Sequence, residues 1–444
     1  MTTRKLPRPL LGLLAAPLLL AACQDPEVIL PGARLDARAV TSPDGPQVEQ
    51  NFAVQAGPVA LPPARANAEW THRGGNAQHL PGHVALGAGN RLLWAADIGP
   101  GDGRQHRIAA DPVVGGGRVF TLDSRAGVVA TGLNGGTLWR TDITPAGETS
   151  ASVSGGGLAF ANGQVFASSG FGELVALDAA TGRVQWRQRV NAPIGGAPTV
   201  SDGVVYVTGR NAIGWAVTAS DGKLLWQADG TPQPTGHMAA SAPAVDGDLV
   251  VFPFASGQLL AVDRATGVQR WSAQVAGTRV GRAISYIRDM TGEPVIAGNT
   301  VYGGTSSGRI NAFDREGGFQ LWSAREGAMS AVVPVGNSVF AVNDANQLVR
   351  IDASTGGVVW QRDLPWFRTD NPRRQDAIWA HYGPVLAGGR LIVASSDGYL
   401  RMFDPSSGQL IGQAEIPGGA ATAPVVAGQT LYLVNRNGQL LAYR

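Results

Sequence analysis

Cysteine is nearly missing from this chain: Cys23 is the only one in 444 residues. A lone thiol excludes any internal disulfide, so the folded body must be held by its hydrophobic core. Length is no obstacle, because a chain of this size buries a large apolar fraction. Long apolar runs are scarce as well. Leu10 to Leu20 is apolar but interrupted by Gly12 and Pro17, and it is too short to span a bilayer. No stretch sustains a helical period. Charge excess of either sign is lacking: apart from Arg4, Lys5 and Arg8 there are 32 basic side chains against 33 acidic ones. A near-neutral body with no basic cluster argues against a nucleic-acid partner. Carboxylates are not clustered either, and a hard-cation site needs several converging oxygens.

What is present begins with the basic start at Arg4, Lys5 and Arg8, the apolar run, and the small residues Ala21 and Ala22 before Cys23. That order reads as a secretory signal peptide over residues 1–22. Leu20-Ala21-Ala22-Cys23 resembles the bacterial lipobox, which implies that Cys23 is acylated and becomes the mature N-terminus. Several acyl chains make such an anchor effectively permanent. Gln24 is not the aspartate linked to inner-membrane retention in lipoproteins, so the resemblance favours the periplasmic face of the outer membrane. Residues 23–68 carry Pro26, Pro31, Pro43, Pro46, Pro58, Pro62 and Pro63 with no apolar period, the pattern of an extended tether.

Residues 69–444 repeat. Tryptophan recurs at Trp94, Trp139, Trp186, Trp226, Trp271, Trp322 and Trp360, at intervals of 38 to 51 residues. One repeat reads Ala242-Pro243-Ala244-Val245, Asp246-Gly247, Leu249-Val250-Val251-Phe252, then Gly257 to Asp263, Thr266-Gly267 and Trp271. Short runs rich in Val, Leu and Tyr, bounded by Gly, Asp and Pro, are strands joined by turns. Four antiparallel strands per repeat make a propeller blade, and blades must stack to bury both faces. The expected fold is therefore all-β, a propeller of four-stranded blades.

Six units end at Trp139, Trp186, Trp226, Trp271, Trp322 and Trp360. A seventh spans Gly383 to Gly412, with Gly412 in the tryptophan place. An eighth starts at Ala423-Pro424 and stops at Arg444, and its missing strand is supplied by Arg91 to Trp94. Closing the ring with strands from both termini leaves no free sheet edge. The count is eight blades, with seven as the fallback. The tryptophans read as structural wedges between blades, each burying its ring while its N–H finds a carbonyl.

Other candidates carry less. His72, His79 and His83 cluster before the first blade with metal-like spacing, but no fitting fourth ligand lies nearby; a polar loop packed on the ring is the favoured reading. Gly99, Gly101 and Gly103 precede no helix, so a phosphate cradle is not indicated. No serine sits in a strand-to-helix elbow with His and Asp partners. The long connection from Pro365 to Tyr382 gathers Trp366, Phe367, Arg368, Arg373, Arg374, Trp379 and His381. Arginine and aromatics are enriched at interface hot spots. The same residues also suit a loop folded over the ring channel, and both readings stand.

The turns Ala176-x-Asp178-x-x-Thr181-Gly182-x-x-x-Trp186 and Ala261-x-Asp263-x-x-Thr266-Gly267-x-x-x-Trp271 resemble the docking motif of pyrroloquinoline-quinone-type propellers. Quinoprotein dehydrogenases of that fold carry an adjacent Cys–Cys disulfide and a calcium site, and this chain has no second cysteine. With its signal peptide, lipobox, tether and small blades, the chain is similar to the BamB family of lipoproteins in the β-barrel assembly machine. That resemblance implies a non-enzymatic scaffold with no cofactor and no metal, monomeric within a multi-protein complex. It implies contact with the periplasmic POTRA domains of BamA through two loops. The first holds His237 and Met238, with Met238 standing where the family has arginine. The second runs from Arg282 to Thr291 and includes Arg288 and Asp289, the latter matching a family aspartate. The rival expectations are a periplasmic quinone-dependent oxidoreductase, or a propeller that binds cell-wall glycan or another envelope protein.

Overall fold

The computed structural model describes residues 57–233, 241–275, 277 and 287–444. Cys23, the signal segment and residues 23–56 of the tether lie outside them, as do His237, Met238 and Arg282. Among the described residues there are 32 strands and a single short 3-10 turn, Pro372–Arg374. No described helix is long and apolar enough to cross a membrane.

The strands form eight four-stranded antiparallel sheets arranged as a propeller. Blades one to seven each use four consecutive strands, over residues 113–142, 156–189, 199–229, 244–274, 290–324, 333–363 and 381–415. Blade eight combines Val425–Ala427, Thr430–Val434 and Gln439–Tyr443 with Leu92–Asp97 from the other end of the chain. Trp94 pairs with Ala442 and Ala95 with Leu441. The first strands of blades one to five lie against one another in turn around the axis, as do those of blades six and seven, and the fourth strands face outward. The middle strands are buried on both faces, as in the second strand of blade four, Leu249–Pro253, and they read as unbroken apolar runs. The outer strands alternate, as in Val184–Arg189, because only one of their faces meets a neighbouring blade.

Each indole crosses to the next blade. Trp139, Trp186, Trp226, Trp271 and Trp322 donate Nε1–H to the carbonyls of Ala179, Ala219, Arg264, Arg315 and Ala353 at 2.8–3.1 Å. Trp94 does the same to Leu133 at 3.2 Å. Trp360 packs on Gly408 of blade seven, but its Nε1 has no acceptor. The ring edge seats against a turn glycine in the left-handed region. At Gly222, with φ +71°, a Cβ would lie 2.6 Å from the Trp186 ring. Only glycine satisfies both the backbone and the close approach.

The joint between blades seven and eight is built differently. Gly412 stands opposite Met402 where the other blades place a tryptophan, opposite alanine as at Ala176 and Trp186 or, in blade six, opposite Arg350. Blade eight has no third-to-fourth turn to receive an indole there, because its third strand, Gln439–Tyr443, and its fourth, Leu92–Asp97, are not consecutive in sequence. Arg91 and Arg444 exchange backbone hydrogen bonds at 3.2 and 2.9 Å. The phenol of Tyr443 reaches over to donate to the Glu415 carbonyl at 2.8 Å.

Residues 57–90 do not hang free of the ring. They run as a strap over the turns that join first to second strands, and they touch every blade in passing. Asn67 accepts from Gly428 N–H at 2.7 Å in blade eight, and Trp70 exchanges two 2.8 Å bonds with Val114 in blade one. Thr71 O accepts from Phe160 in blade two, and His72 meets Val200 in blade three. Ala77 O and Gln78 O accept from Val245 and Ile296 in blades four and five. Val59 and Leu61 pack on the core shared by blades six and seven. Val84 then pairs with Leu386 and Gly388 of blade seven. The expected tether therefore ends on the ring: its last residues, 57–68, are laid along blades six, seven and eight.

Candidate partner-binding rim

Among the described residues, the connections from one blade's outer strand to the next blade's inner strand emerge on the rim opposite the strap. The two loops singled out in sequence precede blades four and five, so topology places their bases side by side. The contact is direct: Ser241 Oγ donates to the Met290 carbonyl at 2.6 Å. The turn at Gly209–Ala212 in blade three adjoins them, and Arg210 lies 3.8 Å from the Asp289 carboxylate.

Two of the five expected contact residues are described. Arg288 is exposed, as an interface cation needs to be. Asp289 is only 2% exposed, which corrects its reading as a solvent-facing contact. Its carboxylate turns inward to Arg210. A pair whose carboxylate is buried holds a loop base in place more than it offers hydrogen bonds to a visitor.

The 365–382 connection is a largely exposed hairpin, and of its residues only Tyr382 lines the central cavity. Phe367 and Ile378 bridge its two arms. Trp379 N–H donates to the Trp366 carbonyl at 2.7 Å, and Arg368 N–H to Ala377 at 3.0 Å. Trp366 stacks on Phe367 with ring centres 5.5 Å apart, and the Arg368 guanidinium lies 5.1 Å from the Trp379 ring centre. The tip turn displays Arg373 and Arg374 to solvent. The hairpin's root is fixed from below. Asn346 donates to the Trp379 carbonyl at 2.9 Å, while His381 spans Pro365 O and Ser395 Oγ, both at 2.7 Å. Burial holds the His381 pKa below its ordinary value, so the root stays neutral. The result is a firmly rooted finger with an aromatic and cationic surface.

The three histidines before blade one do not converge. His72 Nε2 meets the Val200 backbone, His79 Nδ1 the Pro294 carbonyl, and His83 lies between Pro62 O and Gly389 N. Burial lowers His72 and His79 to about 4 each. Each ring fastens the strap to a different blade. Among the described residues no three His, Cys, Asp or Glu side chains are placed to hold a metal ion.

Between strap and rim lies a central cavity of about 400 Å³. Trp70 and Arg73 of the strap form its floor, and residues from blades one, five, six, seven and eight form its wall. The strap residues Trp70, Arg73 and Gly74 line it on one side, so the cavity is a funnel floored by the strap. Sequence reading missed it. Its floor comes from a segment without periodicity, and its wall from residues more than 300 positions apart, such as Asp111 and Ala423.

A family model described as "Outer membrane protein assembly factor BamB" matches residues 125–362 and 367–444. The chain belongs to the BamB family. Among curated relatives, the BamB of Yersinia pestis is 26% identical over 358 residues, covering 79% of this chain and 88% of that one. The BamB of Bordetella pertussis is 28% identical over 367 residues, covering 81% and 88%. Among solved structures, BamB from Moraxella catarrhalis superposes with a TM-score of 0.66 at 19% identity, over 80% of this chain and 99% of that one. A europium-containing methanol dehydrogenase reaches 0.62 at 16% identity over 85% and 89%. That second likeness is one of fold alone. The BamB assignment is to a family named for assembly, not for catalysis, and the gap in the match at 363–366 falls at the entry to the hairpin.

Proposed function

We propose that this protein is a non-catalytic scaffold of the β-barrel assembly machine, acting at the outer membrane. In this reading Cys23 carries the lipid that holds it there, and the rim before blades four and five binds the POTRA domains of BamA. The relatives' shared name, outer membrane protein assembly factor, supports the general role. The observation that carries the contact surface is the juncture of Ser241 with Met290. It joins two loops about fifty residues apart in sequence into one patch, with Arg288 exposed beside it. A partner strand or loop docking there would use backbone groups as well as side chains.

The test is affinity purification of the lipidated full-length protein from envelopes, with identification of what co-elutes. The reading expects a BamA-type barrel protein at near-stoichiometric yield. Its absence, with the propeller intact, would refute the reading.

A further inference from the structure

The funnel floor holds an unequal set of charges. Arg73 Nε lies 2.7 Å from Glu293 and 3.3 Å from Asp111, so one guanidinium serves two carboxylates. The Glu293 side chain is 2% exposed and that of Asp111 11%. Asp111 also accepts from Ala423 N–H at 2.8 Å. The other cation on the wall, Arg107, is half exposed and already faces Asp102 at 3.3 Å. Burial raises the Asp111 carboxyl, with the Glu293 charge adding to the rise against the pull of Arg73. Among the described residues, Arg73 is the one cation paired with these two carboxylates.

A separate observation bears on the same space. Trp70 lines the cavity at 2% exposure, and its Nε1–H finds no acceptor. Leaving a buried indole N–H without a partner is unfavourable, so it marks a place for an incoming oxygen. Ile108, Val385 and Pro424 make the intervening wall apolar. The volume of about 400 Å³ suits a small side chain with its flanking amides.

We propose that the funnel is a binding site for a lysine-type group. A protonated amine would sit against Asp111 and Glu293, its apolar stem along the wall, and an amide oxygen would accept from Trp70. The site is distinct from the rim patch, and it stands whether or not the scaffold reading does.

Nα-acetyl-lysine methylamide is the probe, titrated calorimetrically into the full mature chain. Nα-acetyl-norleucine methylamide is the uncharged control of matching stem. The expected result is saturable binding of the lysine probe, at least about tenfold tighter than norleucine. Glu293→Gln, and separately Asp111→Asn, should each weaken it by about tenfold or more while leaving the thermal transition cooperative. Using both variants keeps the test open if one fails to fold. Equal binding of the two probes, no saturable binding, or undiminished binding by the folded variants would each overturn the proposal.

Discussion

The backbone N–H of Val200 donates to Nε2 of His72 at 3.0 Å, a bond that an imidazolium cannot accept. Nε2 also lies 3.0 Å from the Val200 carbonyl, to which a protonated ring would donate, so the pH response rests on the burial of the ring rather than on this one bond. Burial, with the neighbouring His79, lowers His72 to about 4, and His79 is lowered to about 4 chiefly by burial. In the unfolded chain both rings titrate near 6.5. Above pH 6.5 neither ring favours either state. Below it the unfolded chain takes up protons that the folded chain refuses, so stability falls from about pH 6.5 towards pH 4. The loss is up to about 3 kcal/mol per ring. Denaturant unfolding across that range should show it, and His72→Asn should reduce the slope. A flat profile for the parent would contradict the burial of both rings.

Gly222 and Gly203 both adopt positive φ, +71° and +77°, but only Gly222 touches an indole. Alanine at Gly203 meets nothing within 4 Å and should cost only the left-handed backbone penalty, about 1–2 kcal/mol. Alanine at Gly222 would add the clash with Trp186, a further 1–3 kcal/mol or so. Thermal unfolding of the two variants should therefore separate them clearly. Equal losses would mean that indole seating adds nothing to the blade joint.

The Tyr443 phenol spans the one joint without a tryptophan. Tyr443→Phe should cost about 1 kcal/mol. Its effect should concentrate at the seam, seen as faster amide exchange in Leu92–Asp97 and Gln439–Tyr443 than in the other blades. Uniform change around the ring would argue against a local closure role.

Much of this architecture was legible in the sequence because it is written in repeats. Tryptophan spacing, the Thr-Gly turns and the orphan strand at Arg91 to Trp94 give the eight blades and their closure, since each feature reflects local turn chemistry and strand burial. The strap was not legible. Most of its blade contacts are backbone hydrogen bonds, as between Trp70 and Val114, and these leave no side-chain signature. The inward turn of Asp289 was hidden for another reason: its partner Arg210 sits 79 residues earlier, in blade three. The 365–382 hairpin could be recognised by composition, but its exposure depends on anchors at Asn346 and Ser395 that no local pattern announces.

Asp289 is expected to act on partner binding through loop placement. Asp289→Asn should leave a weakened Arg210 contact and lower affinity modestly. Arg288→Glu, on an exposed side chain, should act directly and change the salt dependence of association. Titration of each variant at two ionic strengths distinguishes them. A larger salt effect from Asp289→Asn would reverse the assignment.

The central claim is that the rim before blades four and five receives BamA. The most direct measurement is the affinity of purified BamA periplasmic domains for the full mature protein and for its Met238→Asp, Arg288→Glu double variant. The account predicts binding by the parent and a loss of at least about thirtyfold in the variant, with an unchanged thermal transition. Equal affinities would contradict it, and would move the contact to the hairpin that carries Trp366 and Arg368.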